Sequence, residues 1–139
     1  MPSKILHGLD GSEGSFKALT EAIELARRCG AELHTISVEE VPRCPETVGE
    51  IVEEQDTADH AFKEAVRKAR DLAAAQGITL QCHILVGHEV KTIAEYVKHH
   101  GFDLLVIGFM GHSAVYDRVM GSTCQSLVRL APCSVVVVK

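Results

Sequence analysis

Short apolar runs alternate with amphipathic segments of helical length along the chain, and this alternation limits its folds more than any other feature. The runs KILHGL (4–9), AELHTISV (31–38), TLQCHILV (79–86), DLLVIG (103–108) and CSVVVVK (133–139) read as five strands. Between the first two, Phe16, Leu19, Ile23 and Ala26 recur at three- and four-residue spacing, and Gly30 supplies a stop. A second helix is expected from a cap at Asp56 or Thr57, with Ala58, Phe62, Ala65, Ala69 and Leu72 inward and Gly77 ending it. A third is expected over 89–100, with Val90, Ile93, Ala94 and Val97 inside and Gly101 as its stop. The last should span 122–131, where Ser122 and Gln125 have capping-box spacing. Residues 41–56 carry two prolines and five acids with no clean period, and read as a surface loop, in part helical.

Strands separated by helices imply a parallel sheet covered on both faces. The unbroken runs LLVI and VVVV agree, because central parallel strands are buried on both sides. Right-handed crossovers leave an α/β, doubly wound five-stranded sheet as the natural topology. At 139 residues, without repeats or low-complexity tails, one domain over 1–139 is expected.

A net charge of −5 argues against nucleic acid or an anionic membrane as partner through a basic face. No run approaches the roughly 18 apolar residues that a membrane span needs. The segment MPSKILHGLDGS lacks the apolar core of a signal peptide, so a cytoplasmic location is expected. Five cysteines without a C-x-x-C pair fit reduced thiols, buried as small hydrophobes except for Cys44 in polar PRCPET.

Function should gather where loops leave the carboxyl ends of strands at a reversal of strand order. Two such places look specialised: LDGS after the first strand, and GFMGHSAVYDRVMGST after the fourth. Loops of the second length are unusual in compact domains and are often functional. Gly108 and Gly111 permit backbone geometries closed to other residues and a close approach of ligand to main chain. Gly121-Ser122-Thr123 opens a helix whose free N–H groups and dipole favour an anion, and two hydroxyls stand beside them. This pattern suits a phosphate. Asp10 would repel phosphate and suits a ribose instead, while a main-chain N–H and C=O near Val38 suit an adenine edge. On spacing alone the glycines serve equally well as turn formers. Neither G-x-x-x-x-G-K-[ST] nor G-x-G-x-x-G is present.

The three-part spacing G-x2-G-x9-G-[ST], formed by Gly108, Gly111, Gly121 and Ser122, resembles the nucleotide-binding motif of the universal stress protein family. The segments KILHGLDGSEGSFKALTEAIELA, VGHEVKTIAEYV and LAPCSVVVVK resemble that family too, so the likeness covers essentially the whole chain. It implies strand order 3-2-1-4-5 and an adenine nucleotide, ATP, ADP or AMP, with or without Mg2+. It further implies Asp10 at the ribose, Val38 at adenine, and Gly108, Gly111, Gly121 and Ser122 at the phosphates; Gly8 and Thr123 are expected among the binding residues beside them. His112 stands where the family often has Arg, and an imidazole pairs well with phosphate only when protonated. The implied role is a stress-response or regulatory module. The alternatives are a slow ATPase, with Asp117 as an imaginable base, and a nucleotide-free interaction module. In that strand order SVVVV is an exposed apolar edge, and a homodimer through 133–139 is expected. Eight histidines show no zinc-like spacing, and His7 stands near the crevice.

Overall fold

A computed structural model describes residues 2–40, 48–109 and 121–139, over 48–61 as backbone only. Expectations for Cys44, Gly111, His112 and Asp117 lie outside the described residues. In chain order the elements are β1 (Lys4–Gly8), α1 (Glu13–Cys29), β2 (Glu32–Glu39), α2 (Val48–Ala75), β3 (Leu80–Val86), α3 (Glu89–His100), β4 (Leu104–Gly108), α4 (Ser122–Leu130) and β5 (Ser134–Val138). The strands form one parallel sheet in the order β3-β2-β1-β4-β5, as expected.

Each face of the sheet carries its own core. Ile5, Leu33 and Val106 pack with Leu19, Ala22 and Ala26 of α1 and Ala65, Ala69 and Ala73 of α2. Leu6, Ile36, Leu105 and Ile107 pack with Ile93 and Val97 of α3 and Leu127 of α4. Alternate residues of the central strands therefore feed opposite cores, which is why these strands lack an apolar–polar alternation. Gly30 and Gly101 end α1 and α3 in left-handed conformations, with φ of 64° and 68°.

Four expectations need correction. The second helix begins at Val48, so Asp56 and Thr57 lie inside it rather than capping it, and 48–56 is not loop. Val48, Ile51 and Val52 do stand at helical spacing, and Glu50, Glu53 and Glu54 favour helix near a positive N-terminal end. Leu72 is 37% exposed; Val66 and Ala73 take the inward positions instead. Ser122 is not the cap of α4: Gly121 holds that place, with no side-chain capping bond. Of the cysteines described, only Cys124 is buried; Cys29, Cys82 and Cys133 are half-buried, two of them at the sheet's edge strands.

Candidate functional site

The reversal of strand order falls between β1 and β4, which pair through Ile5–Leu104, Leu6–Leu105 and His7–Val106. From their carboxyl ends the chain leaves toward opposite faces, into α1 on one side and toward α4 on the other. A crevice opens between such divergent connections.

On the β1 side the turn is built by polar side chains. Gly11 has a φ of 82°, a conformation that favours glycine. Ser12 caps α1, its hydroxyl accepting from the Ser15 N–H at 3.1 Å. The Asp10 carboxylate accepts from the Ser12 N–H at 2.8 Å and also from the Ser12 hydroxyl. Asp10 is half-buried, at the mouth of the crevice. The Ser37 hydroxyl donates to the Leu9 carbonyl at 2.7 Å and fixes the end of β1 to β2.

On the β4 side, Gly108 lies against the first turn of α1. A Cβ there would stand 2.9 Å from the Gly14 carbonyl oxygen, so the backbones meet directly. A Cβ on Gly8 would lie 3.3 Å from the Ile107 side chain. The Phe109 N–H donates to the Val138 carbonyl at 2.8 Å, and the Phe109 carbonyl accepts from the Gly121 N–H at 3.1 Å. The start of α4 is thereby held within one residue of Gly108. Gly121 is extended, at φ −61° and ψ 150°, and takes the cap position, so the helix begins one residue earlier than capping-box spacing suggests. Ser122 is exposed and Thr123 half-buried.

Val38 approaches from β2. Alternate residues of a strand turn their main-chain groups to alternate sides. The Ile36 carbonyl accepts from Leu9, toward β1, and the Glu39 carbonyl accepts from Gly87, toward β3. The N–H and C=O of Val38 therefore face the β1 side, beyond the last register pair of that strand, Gly8 with Ile36. Gly8, Asp10, Val38, Gly108, Gly121, Ser122 and Thr123 thus share one end of the sheet.

The reading from sequence put His7 near the crevice but gave it no role beneath the cleft. His7 is fully buried, with Nε2 2.8 Å from the Ser15 carbonyl and Nδ1 2.9 Å from the Thr35 hydroxyl. Burial pushes its pKa down from 6.5 to about 4, against the opposing influence of the Ser15 bond and of Asp10. A histidine inside an apolar strand was the available signal. Burial also pushes the Cys124 thiol up, against any help from the start of α4. His34 and His83 stack on the β2–β3 side of the sheet, beside Tyr96 of α3, with Nδ1 of His34 2.9 Å from Nε2 of His83 and His34 also bonded to Glu32. Among the described residues no three ligating side chains converge as a metal would need. No described helix is long and apolar enough to cross a membrane.

Comparison with known proteins agrees with this architecture. The model of the universal stress protein family matches residues 1–139. Universal stress protein YxiE of Bacillus subtilis is 28% identical, with all of both chains covered. The solved structure of universal stress protein UspA from Lactobacillus plantarum superposes with a TM-score of 0.87 at 29% identity, covering 99% of this chain and 97% of that one. Two more distant structures share the fold. One is a universal stress protein in complex with cAMP, with a TM-score of 0.75 at 24% identity over 99% of this chain and 97% of the other. The other is the Archaeoglobus fulgidus universal stress protein in complex with dAMP, with a TM-score of 0.71 at 21% identity over 99% and 98%.

Proposed function

From the premise that this chain belongs to the universal stress protein family, we propose that it is an adenine-nucleotide-binding member, acting as a regulatory module. One observation carries the reading. The carboxylate of Asp10, the backbone approach at Gly108 and the N-terminus of α4 share the reversal point of the sheet. In this reading the amides of Gly121, Ser122 and Thr123 receive phosphate oxygens. Asp10, already oriented by Ser12, accepts from a ribose hydroxyl. The outward main chain of Val38 offers the donor–acceptor pair that an adenine edge presents in reverse. Gly8 lies at the same end of the sheet, Gly111 is the second glycine of the motif, and His112, in its spacer, would pair with a phosphate best when protonated. Family members solved with cAMP and dAMP lend support for the ligand class.

The edge strand β5 is proposed to pair with its copy in a homodimer. Ladder alternation, set by the Val138 carbonyl bonding Phe109, turns the main chain of Val135 and Val137 away from β4. That edge is apolar and half-buried, as a pairing surface should be.

The test is calorimetric titration of nucleotide-stripped protein with ATP, ADP and AMP. Saturable binding that is weakened by Asp10→Ala and abolished by Gly121→Val is expected. Absence of binding up to millimolar nucleotide refutes the reading. Phosphate release followed over hours with Mg2+ separates a binding module from a slow ATPase.

A further inference from the structure

We propose that His7 is a positioning residue for the cleft: its buried ring locks the first turn of α1 to the sheet and thereby sets Asp10 and the approach of Gly108. This inference rests on the nucleotide reading above for its ligand, and on geometry alone for the positioning.

The ring's hydrogen bonds have only one workable direction. The Ser15 carbonyl can only accept, so His7 Nε2 carries the proton and donates to it at 2.8 Å. The Thr35 hydroxyl has a single proton, and both His7 Nδ1 and the His7 carbonyl lie within its reach, at 2.9 and 3.1 Å. With the ring neutral, Nδ1 is an acceptor, so the hydroxyl donates to it. Burial keeps the ring neutral near pH 7. The imidazole therefore links β2, through Thr35, to the first turn of α1, through Ser15.

Ser15 passes the constraint on. Its N–H donates to the Ser12 hydroxyl at 3.1 Å, and its own hydroxyl donates to the Ser12 carbonyl at 2.8 Å. Ser12 in turn spends its N–H and its hydroxyl proton on Asp10. Every donor in the series meets an acceptor, and no step runs against another. The same first turn holds Gly14, whose carbonyl oxygen would lie 2.9 Å from a Cβ on Gly108. One buried ring thus stands behind both walls of the crevice. A site held to sub-ångström tolerance needs such a supporting layer.

A leucine at position 7 would fill much of the space yet bond neither Ser15 nor Thr35, whereas a glutamine Nε2 can again donate to Ser15. The test compares His7→Leu, His7→Gln and the wild type, with Val97→Ala of α3, buried on the opposite face, as a destabilised control outside the cleft. For the wild type we expect saturable ATP binding. For His7→Leu the dissociation constant should rise at least about tenfold, the size of one lost buried hydrogen bond. His7→Gln should recover most of that loss, and Val97→Ala should bind as the wild type does. Independently of ligand, amide hydrogen exchange at Ser12 and Ser15 should accelerate in His7→Leu and not in Val97→Ala. Unchanged exchange at those amides overturns the positioning role. Equal loss of affinity in Val97→Ala overturns its specificity to His7. If the wild type binds no adenine nucleotide, the proposed ligand is wrong, and exchange alone then decides whether His7 sets the turn.

Discussion

His7→Gln should flatten the acid limb of this protein's stability curve. The folded ring titrates near 4 and the same ring in an unfolded chain near its ordinary 6.5. Between those values the unfolded chain binds more protons, so stability rises with pH across the window. The contribution of His7 is complete above pH 6.5, is lost as pH falls toward 4, and changes no further below that. The difference of 6.5 and about 4 amounts to roughly 3 kcal/mol at about 1.4 kcal/mol per pH unit. His83 is also lowered, chiefly by burial and then by His34, His100 and Lys4, and moves stability in the same direction. The Asp103 carboxyl is lowered first by the Ser3 N–H and loses its contribution in the carboxylate range. Both groups remain in the variant and cancel in the difference. The assay is urea unfolding of both proteins at half-unit steps from pH 7 to pH 4. The glutamine variant is expected to be less stable at pH 7, and the gap should close by roughly 3 kcal/mol by pH 4. In thermal scans that closure corresponds to roughly 10 °C for a chain of this size. Curves that fall in parallel would show that the buried ring accepts its proton as easily folded as unfolded, and the account of its burial would be wrong.

Gly108→Ala should destabilise by about 1–3 kcal/mol, because the new methyl meets the Gly14 backbone rather than a side chain that can move away. A melting temperature equal to that of the wild type would contradict the contact, and nucleotide affinity should fall with stability. Ser12→Ala should cost about 1 kcal/mol as a lost helix cap, and it also removes the hydroxyl that orients Asp10. Calorimetry should therefore show weaker nucleotide binding, and a destabilised variant of full affinity would detach Asp10 from the ligand. For the dimer, Val135→Pro deletes an N–H that faces away from β4, whereas Val136→Pro deletes one that serves the ladder. Sedimentation should show a folded monomer for the first and an unfolded chain for the second; a Val135→Pro dimer would place the interface elsewhere.

The elements around the cleft were legible because each depends on local pattern, whereas the order of the strands came from the family resemblance. Apolar runs marked the central strands, and glycines at 30 and 101 marked helix ends that the structure realises with left-handed caps. The start of α2 was illegible because Gly49 and two prolines nearby masked a helical spacing of valine and isoleucine. The true cap of α4 was hidden because it depends on a bond from Gly121 to Phe109, across the loop. His7 was hidden for the same reason. Its partners stand 8 and 28 residues away, and only packing of α1 and β2 on β1 brings them to the ring. Polar networks of that kind are tertiary objects, and a one-dimensional pattern carries only the odd residue that takes part in them.

The bond from Gly121 to Phe109 has a further consequence for how such a protein can diversify. It joins Phe109 and Gly121, the described residues that flank positions 110–120, at 3.1 Å. Closure entropy grows slowly with length, so doubling a flexible insert between two fixed ends adds only about 0.6 kcal/mol. Changes of sequence between these anchors are therefore cheap for the scaffold: under the nucleotide reading proposed above, contacts to the tail of a ligand can be rewritten there while sheet, caps and buried histidine stay as they are.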